Sequence, residues 1–282
     1  MTIRRIALIV ALSSFLGSLA PLAQADNSLQ CTIQQQDGAP AAKLEFVLTH
    51  TASNKQWKKK ANDKGMVEFK GLPDGTFRLQ GALEGYLLTK ADGIELSGNA
   101  AKTCSPVFVS IDQLNKLLND AMEAARTQKP DVAIEKAQAA IALAPSIPQA
   151  HNMLAVAYAK KGLVDEAMAS VRKAAALDKG FEQMLVPIHM EALGTQAGEA
   201  LAKKDFDGAI KKYQEIAAVA PEEPTVYYNM ALAYGHKGDF DNAIKSIDKA
   251  IAMKPDDLEF KQRKVQLQDL YLKSTEKSLE LK

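Results

Sequence analysis

The sequence is poor in the arrangements from which catalytic centres are built. It has four histidines, His50, His151, His189 and His236, and no H-x-x-x-H, H-E-x-x-H or Cys-His spacing brings them to one metal. No Gly-rich phosphate loop is present, because the G-x-x-x-G of Gly71 and Gly75 sits in a strand turn and not between a strand and a helix. No nucleophile with an adjacent base and no paired carboxylate stands out. The chain is therefore read as non-catalytic, with no cofactor and no metal. A charge imbalance is missing too: 35 basic against 34 acidic residues give +1, which leaves no electrostatic case for nucleic acid. Cysteine is limited to Cys31 and Cys104, and tryptophan to Trp57. Beyond the first 25 residues there is no long apolar run of membrane-spanning length.

Against these absences, 47% of the residues are hydrophobic, enough to bury a core. The first 25 residues stand apart. Arg4 and Arg5 precede an apolar run from Ile6 to Leu16, and Ala23-Gln24-Ala25 is an A-x-A-like cleavage site. Residues 1–25 are read as a signal peptide, so the mature chain is exported, periplasmic or secreted in a bacterium, without stable membrane insertion after cleavage. An uncleaved anchor is the alternative, but Pro21 and Ser13, Ser14 and Ser18 leave the run short of a comfortable span. Export favours an oxidising compartment, and there Cys31 and Cys104 are expected to pair. The alternative is two buried free thiols.

From residue 26 to 112 the apolar residues alternate, as in Lys43-Leu44-Glu45-Phe46-Val47-Leu48-Thr49, and runs are cut by turns such as Asp37-Gly38, Asp63-Lys64-Gly65 and Leu72-Pro73-Asp74-Gly75. About seven short strands result, which predicts a small antiparallel β-sandwich. The stretch from Asn62 to Leu79, followed by Gly85-Tyr86, resembles the carboxypeptidase regulatory-like domain, with Asn62 in the aspartate place. The resemblance implies a transthyretin-like sandwich and a non-catalytic accessory module. Within this segment Trp57 with Lys58, Lys59 and Lys60 is a candidate polymer-binding cluster. Its alternative is a solvated loop whose tryptophan covers the sheet edge.

Past residue 112 the period becomes helical and alanine frequent. Four copies of one pattern occupy 113–257, as units 114–147, 148–181, 190–223 and 224–257, with Ala133, Ala167, Ala209 and Ala243 opening each second helix. In the last unit Tyr227, Met230, Ala231 and Tyr234 share one face, and Ala243, Ile247, Ala250 and Pro255 follow. This pattern resembles the 34-residue tetratricopeptide repeat (TPR). Eight extra residues, Glu182 to His189, separate units two and three. They either lengthen a helix or break the superhelix into two repeat pairs. Gly238 and Asp239 end one helix and cap the next, with Asp165 expected in a similar capping part. Residues 258–282 are expected to form a capping helix, with Phe260, Leu267, Leu270 and Tyr271 largely on one side. The fold class is thus multidomain β + α: the sandwich followed by an all-α TPR solenoid.

The resemblance implies a concave groove lined by first helices that receives a peptide or partner protein. The groove-facing candidates are Asn119 and Met122, then Asn152, Val156 and Lys160, and then Tyr228, Asn229, Leu232 and His236. The family's clamp of two asparagines and several lysines for a terminal carboxylate is not reproduced. The function expected is a protein–protein interaction scaffold or adaptor. The alternative is an envelope glycan-binding module in which the sandwich recognises the polymer and the repeats space or oligomerise it. The cysteine reading is directly testable: a thiol titration of the exported protein under denaturing, non-reducing conditions should find none, and two free thiols would overturn it.

Overall fold

The computed structural model describes residues 26–280, so the expected signal segment lies outside the described residues. In chain order the strands are β1 (Asn27–Thr32), β2 (Gln34–Gln35), β3 (Glu45–His50), β4 (Gln56–Lys60), β5 (Met66–Leu72), β6 (Gly75–Gly81), β7 (Tyr86–Thr89), β8 (Ile94–Leu96), β9 (Ala101–Cys104) and β10 (Val107–Ser110). The helices follow as α1 (Ile111–Arg126), α2 (Pro130–Leu143), α3 (Pro148–Lys160), α4 (Val164–Leu177), α5 (Leu185–Ala202), α6 (Phe206–Val219), α7 (Pro224–Lys237), α8 (Phe240–Met253) and α9 (Leu258–Glu280). A β-rich part therefore precedes an all-α array, as the change of period predicts.

Two compact units emerge from the contacts. The first holds residues 26–33, 40–81 and 91–105; the second holds 34–39, 82–90 and 106–280. A single division at residue 112 is what composition suggests, yet β2, β7 and β10 cluster with the helices. The reason lies in β10, which runs without a loop into α1: Ser110 is at once its last strand residue and the helix N-cap, accepting from the Gln113 amide at 3.3 Å. β7 pairs antiparallel with β10, and its Leu87 packs with Leu114, Ala140, Ala144 and Ala150 of the repeats.

In the first unit one sheet has the order β5-β1-β9 and another β4-β3-β6-β8. Burial alternates along β1, β3, β5 and β6, which puts Leu29, Phe46, Leu48, Val67, Phe69, Phe77 and Leu79 in the core. The alternation predicts antiparallel pairing throughout, but β1–β9 is parallel, and so is β2–β10 in the second unit. The long chain between β1 and β9 is what permits this, since parallel neighbours need a crossover and not a hairpin. Cys31 and Cys104 lie opposite one another in the β1–β9 register and form a disulfide with Cα atoms 4.5 Å apart. Closing a loop over a separation of 73 residues stabilises by about 4 kcal/mol in the chain-entropy model. A polar knot around the buried Asn27 supports the same strands. Asn27 donates to the Leu72 carbonyl and to Asp74 Oδ1, and accepts from the Ala100 amide at 2.7 Å, while Asp74 also accepts from Gly98. Gly75 must be glycine: its φ is 141°, and a Cβ there would collide with the His50 ring.

The second unit is ordered by alanine. Ala121, Ala155, Ala197 and Ala231 on first helices and Ala133, Ala167, Ala209 and Ala243 on second helices are all buried, so each helix pair closes on small side chains. The eight extra residues lengthen a helix: after a 3-10 turn at Lys179–Met184, α5 begins at Leu185 and carries Pro187 in its first turn, where no amide partner is lost. Both α3 and α4 pack against α5, so the array continues through the insertion. Asp239 caps α8 through the Asn242 amide, and Asp205 caps α6 through Gly208. Asp165 makes no cap bond; it lies within the first turn of α4, where it favours the helix dipole instead. On α9 Phe260 and Leu267 are buried, but Leu270 is exposed and not part of that face.

The array repeats itself with an offset of 76 residues, units one and two recurring as units three and four. Lys161–Asp131 recurs as Lys237–Asp207, Gln138–Tyr158 as Gln214–Tyr234, and the bond from His151 to the Pro145 carbonyl as that from Tyr227 to the Pro221 carbonyl. His151 is thus a buried packing residue. The turns inside all four units contain one left-handed residue at the same place: Gln128 (φ 56°), Gly162 (70°), Lys204 (59°) and Gly238 (84°). In L-residues this conformation costs roughly 1–2 kcal/mol.

Two predictions arise from these turns. Lys204→Gly should raise stability and Gly238→Ala lower it, each by about 1 kcal/mol in denaturant unfolding, since a Cβ at residue 238 meets open space and only the backbone is at issue. An opposite sign at either position would refute the turn argument. Asp239→Ala should cost about 1 kcal/mol at neutral pH. The Asn242 side chain donating to Asp239 holds its carboxyl below the ordinary 3.8. A depressed folded-state value means the contribution is complete above the unfolded value and disappears as pH falls through the folded one. The gap between variant and wild type, followed by urea midpoints, should therefore close only below about pH 3.8.

Candidate functional site

The first helices α1, α3 and α5 are neighbours in the second unit. On α3, Asn152, Val156 and Lys160 are spaced by four and form one ridge, along which burial falls steadily. Asn152 is buried, at 7% exposure; Val156 is half-buried, and Lys160 is exposed. Asn152 Oδ1 is shielded from solvent without a hydrogen-bond partner, a state that costs about 1–3 kcal/mol. Lys160 at the open end reaches Glu191 of α5 at 2.8 Å. These two residues line a cleft of about 340 Å³ together with Gln128, Pro130 and Thr195. On α1, Asn119 is exposed and Met122 is 52% exposed.

The corresponding ridge on α7 is Tyr228, Leu232 and His236, 76 residues further on. Its ends are occupied by the protein itself. The Tyr228 hydroxyl donates to Glu259 at 2.6 Å and the ring stacks on Phe260 of α9; burial first, and then the bond to Glu259, raises its pKa. His236 stacks on Phe206 with centroids 5.7 Å apart. Asn229 and Leu232 are half-buried. The residues equivalent to Pro130, Lys160, Glu191 and Thr195 are Phe206, His236, Leu267 and Tyr271, so rings and a buried leucine stand where the first pair has a polar cleft. The nine sequence candidates consequently divide. Asn119, Met122, Lys160 and His236 are exposed, His236 with its ring stacked on Phe206; Asn152 and Val156 lead into the cleft; Tyr228 is held by Glu259 and Phe260; and Asn229 and Leu232 are half-buried.

Gln128, Pro130, Glu191 and Thr195 are absent from the sequence reading. The insertion hides the true start of α5, and nothing in the local sequence marks Gln128 as a left-handed turn residue. The neighbouring Gln196, a departure from the repeat pattern, also has a role: its amide donates to the Gly162 carbonyl at 2.8 Å and ties α5 to the end of α3.

In the first unit Lys58, Lys59 and Lys60 lie on β4, an edge strand and not a loop. The strand period separates them. Trp57 and Lys59 stand opposite the buried Leu48 and Phe46, whereas Lys58 points to the other face. Trp57 packs on Phe77 with ring centroids 5.9 Å apart, and Lys55 lies over its ring. Lysines on an edge strand also discourage pairing with another chain.

No cluster of three or more metal-ligating side chains is found among the described residues, and no helix among them is long and apolar enough to cross a membrane. The second unit is defined by its fold as a helical-hairpin repeat array. Residues 118–180 and again 224–257 match family models of the tetratricopeptide repeat, so the chain carries tetratricopeptide repeats, which support a protein–protein interaction scaffold. No curated protein matches the chain. Among solved structures, residues 41 to the end of MamA from Desulfovibrio magneticus RS-1 are similar at 19% identity and a TM-score of 0.37, covering 60% of this chain and 93% of that one. The TPR2AB-domain:pHSP90 complex of yeast Sti1 gives 19% and 0.27, covering 60% and 88%. A streptococcal ancillary pilin gives 16% and 0.26, covering 31% and 33%. At such scores none of these likenesses bears on function.

Proposed function

We propose that this chain is a non-catalytic, exported interaction scaffold that receives a peptide or partner helix on the first-helix face of units one to three. The observation that carries the reading is Asn152. A buried, unsatisfied acceptor is a burden in the free protein, and such burdens concentrate at functional sites. Here it stands on the ridge that leads to the Lys160–Glu191 cleft. Export is supported by the sequence of the first 25 residues and by the Cys31–Cys104 disulfide. The β-rich part is proposed to be a carboxypeptidase regulatory-like module; the Asn62 side chain, which accepts from the Lys64 and Met66 amides in the motif's first turn, is consistent with an aspartate place.

Asn152→Leu separates binding from stability. It removes the unsatisfied oxygen in a similar shape and should stabilise the fold by about 1 kcal/mol. At the same time it should reduce capture of envelope proteins by affinity pull-down and mass spectrometry, as should Lys160→Ala. Partner capture unchanged in both variants would place the contact elsewhere.

A further inference from the structure

A second cleft, of about 390 Å³, lies in the same unit as the repeats but away from their first-helix ridge. It is lined by Gln35, Gln36, Asp37, Tyr86, Ser110 and Gln113. Its construction follows from strand register. Tyr86 stands opposite Ser110 in the β7–β10 pair, and Gln35 opposite Phe108 in the β2–β10 pair. Because β2 runs parallel to β10, the chain leaving β2 proceeds through Gln36 and Asp37 alongside the start of α1. The turn is held by Gly38 donating to the Gln35 carbonyl and by Asp37 Oδ1 accepting from Ala39. The opposite wall is held by Ser110 capping α1 and by the Ile111 amide donating to the Gly85 carbonyl.

The lining chemistry is selective. Three primary amides each offer donors and an acceptor, one carboxylate accepts, and no basic side chain is among the lining residues. That composition disfavours an anion, and the polar walls disfavour an apolar guest. The single apolar surface is the ring of Tyr86, 36% exposed, with its hydroxyl as a polar tip. A guest that suits this set bears neutral hydroxyls, each both donor and acceptor, around a C–H face that can lie on an aromatic ring. The volume falls at the lower end of small-ligand sites, about 300–1,000 Å³.

We infer that this cleft is a saccharide-binding site for a neutral sugar, with Tyr86 as the platform and Gln36, Asp37 and Gln113 as the hydroxyl partners. It is independent of the helical groove, and it differs from a polymer site at Trp57, which lies in the other unit. The test is saturation-transfer NMR on the whole chain with maltotriose, cellotriose and triacetylchitotriose as probes, and variants Tyr86→Ala, Gln36→Ala and Trp57→Ala checked for folding by circular dichroism. At least one sugar should show transfer that falls about tenfold in affinity in Tyr86→Ala, severalfold in Gln36→Ala, and not at all in Trp57→Ala. Gln36 lies on an exposed turn, so its variant decides the matter if Tyr86→Ala fails to fold. The inference is overturned if none of the three sugars shows transfer, if binding survives in the folded Tyr86 and Gln36 variants, or if it is lost through Trp57→Ala.

Discussion

The repeat array depends on the close approach of helices across buried alanines. Ala121 with Ala133, Ala155 with Ala167, Ala197 with Ala209 and Ala231 with Ala243 each mark where a first and a second helix meet, and all are inaccessible. An alanine buries little area itself. Its contribution is to let larger neighbours such as Val171, Ile188, Ile210 and Ile247 make dense contacts on either side. That spacing sets how far apart successive first helices lie, and hence how wide a groove they can leave.

The offset of 76 residues shows how one packing solution can be kept while its surface diverges. The ion pairs between Lys161 and Asp131 and between Lys237 and Asp207 are exposed and contribute little each. Their value lies in fixing the same register twice. Against that constant frame the two pairs differ at the end of the ridge. The second has Phe206, His236, Leu267 and Tyr271 there, with His236 stacked on Phe206 and Leu267 of α9 buried, while the first keeps Lys160, Glu191 and Thr195 around an open cleft. Polar residues at positions that the other copy fills with rings are a reason to place function there, since packing alone favours the filled version.

Much of this was legible in the residues themselves. The change from strand to helical period, the small positions and the Asp239 cap follow from period and from local hydrogen-bonding chemistry. Asp165 does not cap its helix as expected because its counterpart 76 residues on is Asp241, the second residue of α8, and not the cap Asp239. The lysines around Trp57 look like a patch in a linear string but divide between two faces of a strand. Of the groove candidates, Tyr228 looks free because nothing in its own helix reveals Glu259 and the ring of Phe260, and His236, though exposed, stacks on Phe206 from a different helix.

What the sequence by itself determined is the class of each segment: alternation for strands, a 3.6-residue period with alanines for helices, two cysteines able to close one long loop. These are properties of a residue and its near neighbours, and they survive in any arrangement of the elements. Only the tertiary structure decided that β2, β7 and β10 join the helices, that Gln128 and Thr195 line one cleft, and that Gln36, Tyr86 and Gln113 surround another. The physical reason is that such sites arise from register and helix spacing between distant segments. A change of one residue in strand register reverses every side chain, and eight extra residues across the start of α5 move a whole helical face.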